Sequence, residues 1–127
     1  MDIIKFFKNL IIIDAILLGV MIILSAFEPV EYIDFMSESI SLINSETYDA
    51  ITFIALFLFI VSLFLSYKLK NLGRSLYLLS TIIMLLIMPI SDVALTGLSY
   101  SIGSFGSMIS GVIIYLMYFS EIKDKFN

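Results

Sequence analysis

Every basic residue of this chain falls in one of three short clusters, and long apolar runs separate the clusters. Lys5 and Lys8 lie near the start, Lys68, Lys70 and Arg74 sit mid-chain, and Lys123 and Lys125 come near the end, which accounts for all 7 Lys and Arg residues. The intervening connections carry Glu28, Glu31, Asp34, Glu38, Glu46, Asp49 and Asp92, with no base among them. A chain that crosses a bilayer several times shows this alternation, because Lys and Arg are retained on the cytoplasmic side. An even number of crossings then puts all three basic clusters on one face.

The solvent implied by composition agrees. Hydrophobic residues make up 61% of the 127 residues, against about 45–50% in soluble domains. Mean hydropathy is +1.10. A chain this short has too little interior to hide so much apolar surface from water. There is no Cys and no His. Disulfides, thiolate metal sites and thiol redox chemistry are therefore excluded, and the commonest acid-base group is missing. No cofactor and no metal site is expected. A Ser–Lys pair remains the one formal route to a nucleophile, so the chain is not expected to be an enzyme. The basic clusters are short and flank apolar runs. They fit topology and anionic lipid better than nucleic acid.

The expected fold is an all-α integral membrane protein, a single domain over residues 1–127 forming a four-transmembrane-helix bundle. The spans are placed at about 9–27, 50–67, 75–94 and 102–120. From Lys8 to Glu28 a helix rises about 30 Å, the thickness of a bilayer core. The competing reading of span 1 is a signal peptide, with its basic start and the small residues Ser25-Ala26. The apolar run is long for such a segment and holds Asp14, so it is read as a span. Between spans 1 and 2 lies an acidic extracytoplasmic loop. Ile33, Met36, Ile40 and Ile43 share one helical face there, with Pro29 at an opening position. This spacing predicts a short amphipathic helix on the membrane surface. Its acids read as a solvated face, since no calcium-loop spacing is present. Asn44 or Ser45 suits an N-cap for span 2. Span 3 runs past Pro89, the stretch Thr96 to Ser101 is expected to connect it to span 4, and a charged tail follows.

Two sets of residues stand out inside the spans. Gly103, Ser107, Gly111 and Tyr115 recur every four residues on span 4, and Ala15 and Gly19 repeat the spacing on span 1. Small residues so placed allow close helix approach. They are read as packing positions within the bundle, with a self-association seam or a docking face for another membrane protein as the alternative. Ala55, Phe59, Ser62 and Ser66 share one face of span 2.

Asp14 is the second signal. It lies six residues beyond Lys8, roughly 9 Å deep, where an acid is costly and functional by default. The same count from the other basic or charged ends gives Ser62, Ser80 with Thr81 beside it, and Tyr115. These residues predict a polar layer around Asp14 at one depth. The alternative is an ion pair with a nearby Lys or Arg. A weak internal repeat, Lys8-Asn9-Leu10 and Lys70-Asn71-Leu72, hints at two parallel halves.

Four spans in a short chain with an acid in the first resemble the layout of the small multidrug resistance transporters. That resemblance implies proton exchange at Asp14 against a cationic substrate. The chain departs from their pattern in having Asp rather than Glu, a long acidic first loop and no Trp, so the likeness is one of layout. The favoured expectation is a non-catalytic accessory or regulatory subunit. Its partners would be the lipid bilayer and another membrane protein or itself. It would sit in a prokaryotic cell membrane with both termini cytoplasmic.

Overall fold

In a computed structural model the chain is described over residues 2–25, 27, 45–87 and 97–127. Four α-helices follow one another: α1 (Ile3–Ser25), α2 (Ser45–Tyr67), α3 (Asn71–Ile87) and α4 (Gly97–Phe119). A 3-10 helix, Glu121–Lys125, follows α4. The expected amphipathic helix, Pro29, Pro89 and Asp92 lie outside the described residues.

Helices α1, α2 and α4 are each long and apolar enough to cross a membrane. Each has 23 residues, about 34 Å at the helical rise against a bilayer core of ~30 Å. Helix α3 is apolar too, but has 17 residues up to Ile87. The outside of the bundle is apolar. Phe53, Phe57, Phe64, Met108 and Phe119 are all exposed, while Asp14, Ser62, Ser66, Ser80 and Ser110 are buried. A water-soluble fold arranges its residues the other way round.

The helices begin earlier than the sequence pattern indicates. The stretch from Gly97 to Ser101, expected as a connection, is the first part of α4. Gly and Ser are poor helix formers in water. Propensity is a weak preference that the surrounding fold readily overrides. Likewise α3 starts at Asn71 rather than Ser75, and the basic turn shrinks to Lys68–Lys70.

That turn is a Schellman stop to α2. The Leu69 N–H bonds Ser66 O at 2.9 Å and the Lys70 N–H bonds Leu65 O at 3.0 Å. Leu69 sits at φ 57, the left-handed position usually given to Gly. The tail then closes on it. The Asn127 N–H donates to Leu69 O and the Asn71 N–H to Asn127 O, both at 2.9 Å. Ile122 and Phe126 are buried, and the Phe126 ring meets Phe7 edge-on at 5.8 Å. The expected charged tail is thus a folded cap with apolar anchors. The alternation of Ile122 and Phe126 with charges was its only sequence sign.

These contacts gather the start of α1, the end of α2, the start of α3 and the end of α4 at one end of the bundle. All the basic residues lie at that end. The tightest packing is within the α2–α3 hairpin and between α1 and α4, with looser contact between α1 and α2 and between α3 and α4. Helices α1 and α3 therefore stand diagonally across the bundle.

The α2–α3 crossing depends on small residues. Ala55, Ser62 and Ser66 of α2 and Gly73 and Ser80 of α3 are all buried. A Cβ on Gly73 would lie 2.5 Å from Ser66 N and 2.6 Å from the Leu65 carbonyl carbon. Backbone atoms cannot yield as a flexible side chain can. Gly73→Ala should therefore lower the melting temperature of the purified protein, at about 1–3 kcal/mol for overpacking. Gly111→Ala, where a Cβ meets nothing within 4 Å, should not. Identical melting of the two variants would mean the hairpin crossing is looser than described.

Candidate functional site

The inward stripe of α1 is Phe7, Ile11 and Asp14, all buried. Their spacing of four and three is that of one helical face. The stripe is apolar until it reaches Asp14, which is 4% exposed. The carboxyl meets two hydroxyls from two other helices. Tyr77 of α3 donates to Oδ2 at 2.5 Å. Ser110 of α4 donates to Oδ1 at 3.3 Å. Each carboxyl oxygen thus has one donor, and among the described residues no ammonium or guanidinium is a partner. The expected alternative, an ion pair, does not form. Lys8 lies over the Tyr67 ring, and Lys70 donates to Asn127 Oδ1 at 3.3 Å.

Tyr77 is fully buried and reaches across the diagonal. Its position is fixed from two sides. The Phe59 ring of α2 lies 5.1 Å from its own, tilted by 36°. Ser80 and Thr81 both donate to the Tyr77 carbonyl, at 3.1 and 2.8 Å. Ser62 does the same for its own helix, donating to Phe59 O at 2.7 Å. Ser and Thr back-bonding of this kind satisfies the hydroxyl without an interhelical partner.

Of the residues expected to form one layer, Asp14, Ser62 and Ser80 are buried and Thr81 is half-buried. Ser62, Ser80 and Thr81 surround the Phe59–Tyr77 pair rather than touching the carboxyl. Tyr115 does not join them. It is 60% exposed and stacks on Phe119 at 5.8 Å. The count from Glu121 misplaces it because α4 ends at Phe119 and the chain turns into the cap. The level of Arg74 is instead marked by Met117, whose carbonyl accepts from Arg74 Nη1 at 3.5 Å. Seven residues before Met117 lies Ser110. Tyr77 and Ser110 are the partners of Asp14 that counting does not find. The signal for Tyr77 was its place between Gly73 and Ser80 on the small-residue face of α3. Ser110 had only its spacing with Ile113 and Met117.

The small-residue stripe also lies elsewhere than expected. Ala15, Ser107 and Gly111 are exposed. Ser107 turns its hydroxyl to Gly103 O at 3.0 Å. A Cβ on Gly19 or Gly111 would meet nothing within 4 Å, and only Gly103 faces another helix, 3.6 Å from Met21 Cε. The stripe therefore points mainly out of the bundle, and the close crossing is made by Gly73 instead.

Among the described residues no three acidic or other ligating side chains gather to hold a metal ion. What the centre offers chemically is one buried carboxyl, two hydroxyl donors and an aromatic wall. No protein-family model matches the chain, and no curated protein or solved structure matches it.

The hydroxyl contacts carry a measurable coupling. Tyr77→Phe should cost about 1–3 kcal/mol, because a buried carboxyl oxygen loses its donor. Asp14→Leu should cost a similar amount by stranding the Tyr77 hydroxyl. The double variant should cost less than the sum, as groups in direct contact are not additive. Thermal melts in detergent read all three, and additive losses would mean that the two side chains do not interact.

Proposed function

We propose that this chain is a small integral membrane protein that crosses the bilayer four times, with both termini on the cytoplasmic side. It acts without catalysis, as an accessory or regulatory subunit that docks on other membrane proteins of a prokaryotic cell membrane. The orientation is supported by the collection of every basic residue at one end of the bundle. The docking role is supported chiefly by the outer face of α4. There Ser107 and Gly111 are exposed one turn apart, and the open space at Gly111 would let a neighbouring helix approach closely. A carboxyl that already has a donor on each oxygen suits a structural centre.

A second reading has its own support. A buried acid on α1 that is bonded to two other helices suits a proton-coupled transporter, in which Asp14 would alternate between a proton and a cationic substrate.

One pair of experiments separates the two. A photo-crosslinker at Ser107 in native membranes should capture a membrane protein, and Gly111→Leu should abolish that adduct while leaving the melting temperature unchanged. Proteoliposomes of the purified chain should show no proton-driven uptake of a cationic dye. Uptake that disappears in Asp14→Asn would overturn the accessory reading in favour of transport.

A further inference from the structure

Helices α1 and α2 are neighbours that pack loosely, and between them lies an apolar groove of about 480 Å³. It exists because of what α1 lacks. Ala15 and Gly19, one turn apart, line it without bulk, and a Cβ on Gly19 would meet nothing within 4 Å. Leu63, Phe64 and Tyr67 of α2 form the facing wall. Along α1 the groove extends from Ile11 to Ile22, about 16 Å at the helical rise. That is close to half the ~30 Å hydrocarbon core, the depth of a single leaflet.

One mouth of the groove is cationic. Lys8 Nζ lies 4.9 Å from the centre of the Tyr67 ring, and Lys68 Nζ lies 4.2 Å from the centre of the Phe64 ring. Both rings line the groove. No carboxylate pairs with either lysine among the described residues. The groove therefore combines an apolar slot one leaflet deep with two ammonium groups at the end where a lipid headgroup would lie.

We propose that the α1–α2 groove seats an acyl chain of an anionic phospholipid, with the headgroup phosphate held by Lys8 and Lys68. The site rests on the bundle lying in a bilayer, and it is independent of whether the protein docks on a partner or transports a cation. Charge complementarity selects an anionic headgroup, and the cation–aromatic contacts place the lysines at the slot.

Electron paramagnetic resonance of chain-labelled phosphatidylglycerol and phosphatidylcholine, in vesicles holding the full chain, tests the site. The immobilised fraction should favour phosphatidylglycerol. That preference should fall about fivefold for each lysine replaced in Lys8→Gln and Lys68→Gln, or about 1 kcal/mol per charge. Gly19→Leu should fill the slot and remove the preference, and Ala15→Leu provides a second filling variant should the first fail to fold. Equal immobilisation of the two lipids would overturn the proposal. So would a preference unchanged in both filling variants, or a disulfide-linked dimer through Ala15→Cys that shows a second copy in the groove. A chain that washes off vesicles in alkali would overturn the membrane reading itself, whereas insertion without lipid preference overturns only the lipid site.

Discussion

The carboxyl of Asp14 takes one hydroxyl hydrogen bond on each oxygen, and the two hydroxyls come from different helices. In an apolar surrounding such a group cannot turn to water. It must find its donors inside the protein, and an unsatisfied carboxyl would cost more than an ordinary lost hydrogen bond. The constraint is geometric as well as energetic. Tyr77 has to lie across the bundle, so Phe59 must pack beside it and Gly73 must let the α2–α3 hairpin close. Ser110 has to face inward, which sets the rotation of α4 and turns Gly111 outward.

Two halves result. The α2–α3 hairpin is held by a small-residue crossing and by a helix stop whose left-handed residue is Leu69. The tail strengthens that stop with backbone hydrogen bonds from Asn127 and Asn71. The other half is the α1–α4 pair, with Phe7 against Phe126. Packing holds each half together, with the Ser110–Asp14 hydrogen bond added in the α1–α4 pair. The Tyr77–Asp14 hydrogen bond ties the halves inside the bundle, and the tail's bonds to Leu69 and Asn71 tie them at its end. The groove between α1 and α2 lies at one of the two loose seams where the halves meet.

Much of this was legible in the residues. The apolar runs between basic clusters gave an all-helical chain with helices long enough to cross a membrane. The inward face of α2 could be read from Ala55, Phe59, Ser62 and Ser66, all of them buried, because a helical face follows from spacing alone. The special status of Asp14 was legible because a lone acid in an apolar run is conspicuous. Its partners were not. Counting residues from the charged ends assumes that every helix starts at one level, and the cap after Phe119 breaks that assumption for α4. Tyr77 went unnoticed because its backbone position is shallow while its side chain is long. The spacing of the small stripe marks a face of α4 without saying which way that face turns.

The central claim is that the Asp14 contact fixes α1 against α3. Spin labels at the exposed residues Ile12 and Leu79, read by double electron–electron resonance in vesicles, test it most directly. The parent chain should give one narrow distance distribution, and Asp14→Leu should broaden it while circular dichroism shows the helices intact. An equally narrow distribution at the same distance in Asp14→Leu would contradict the claim, and packing with the hydrogen bonds of the tail would then hold the two halves together.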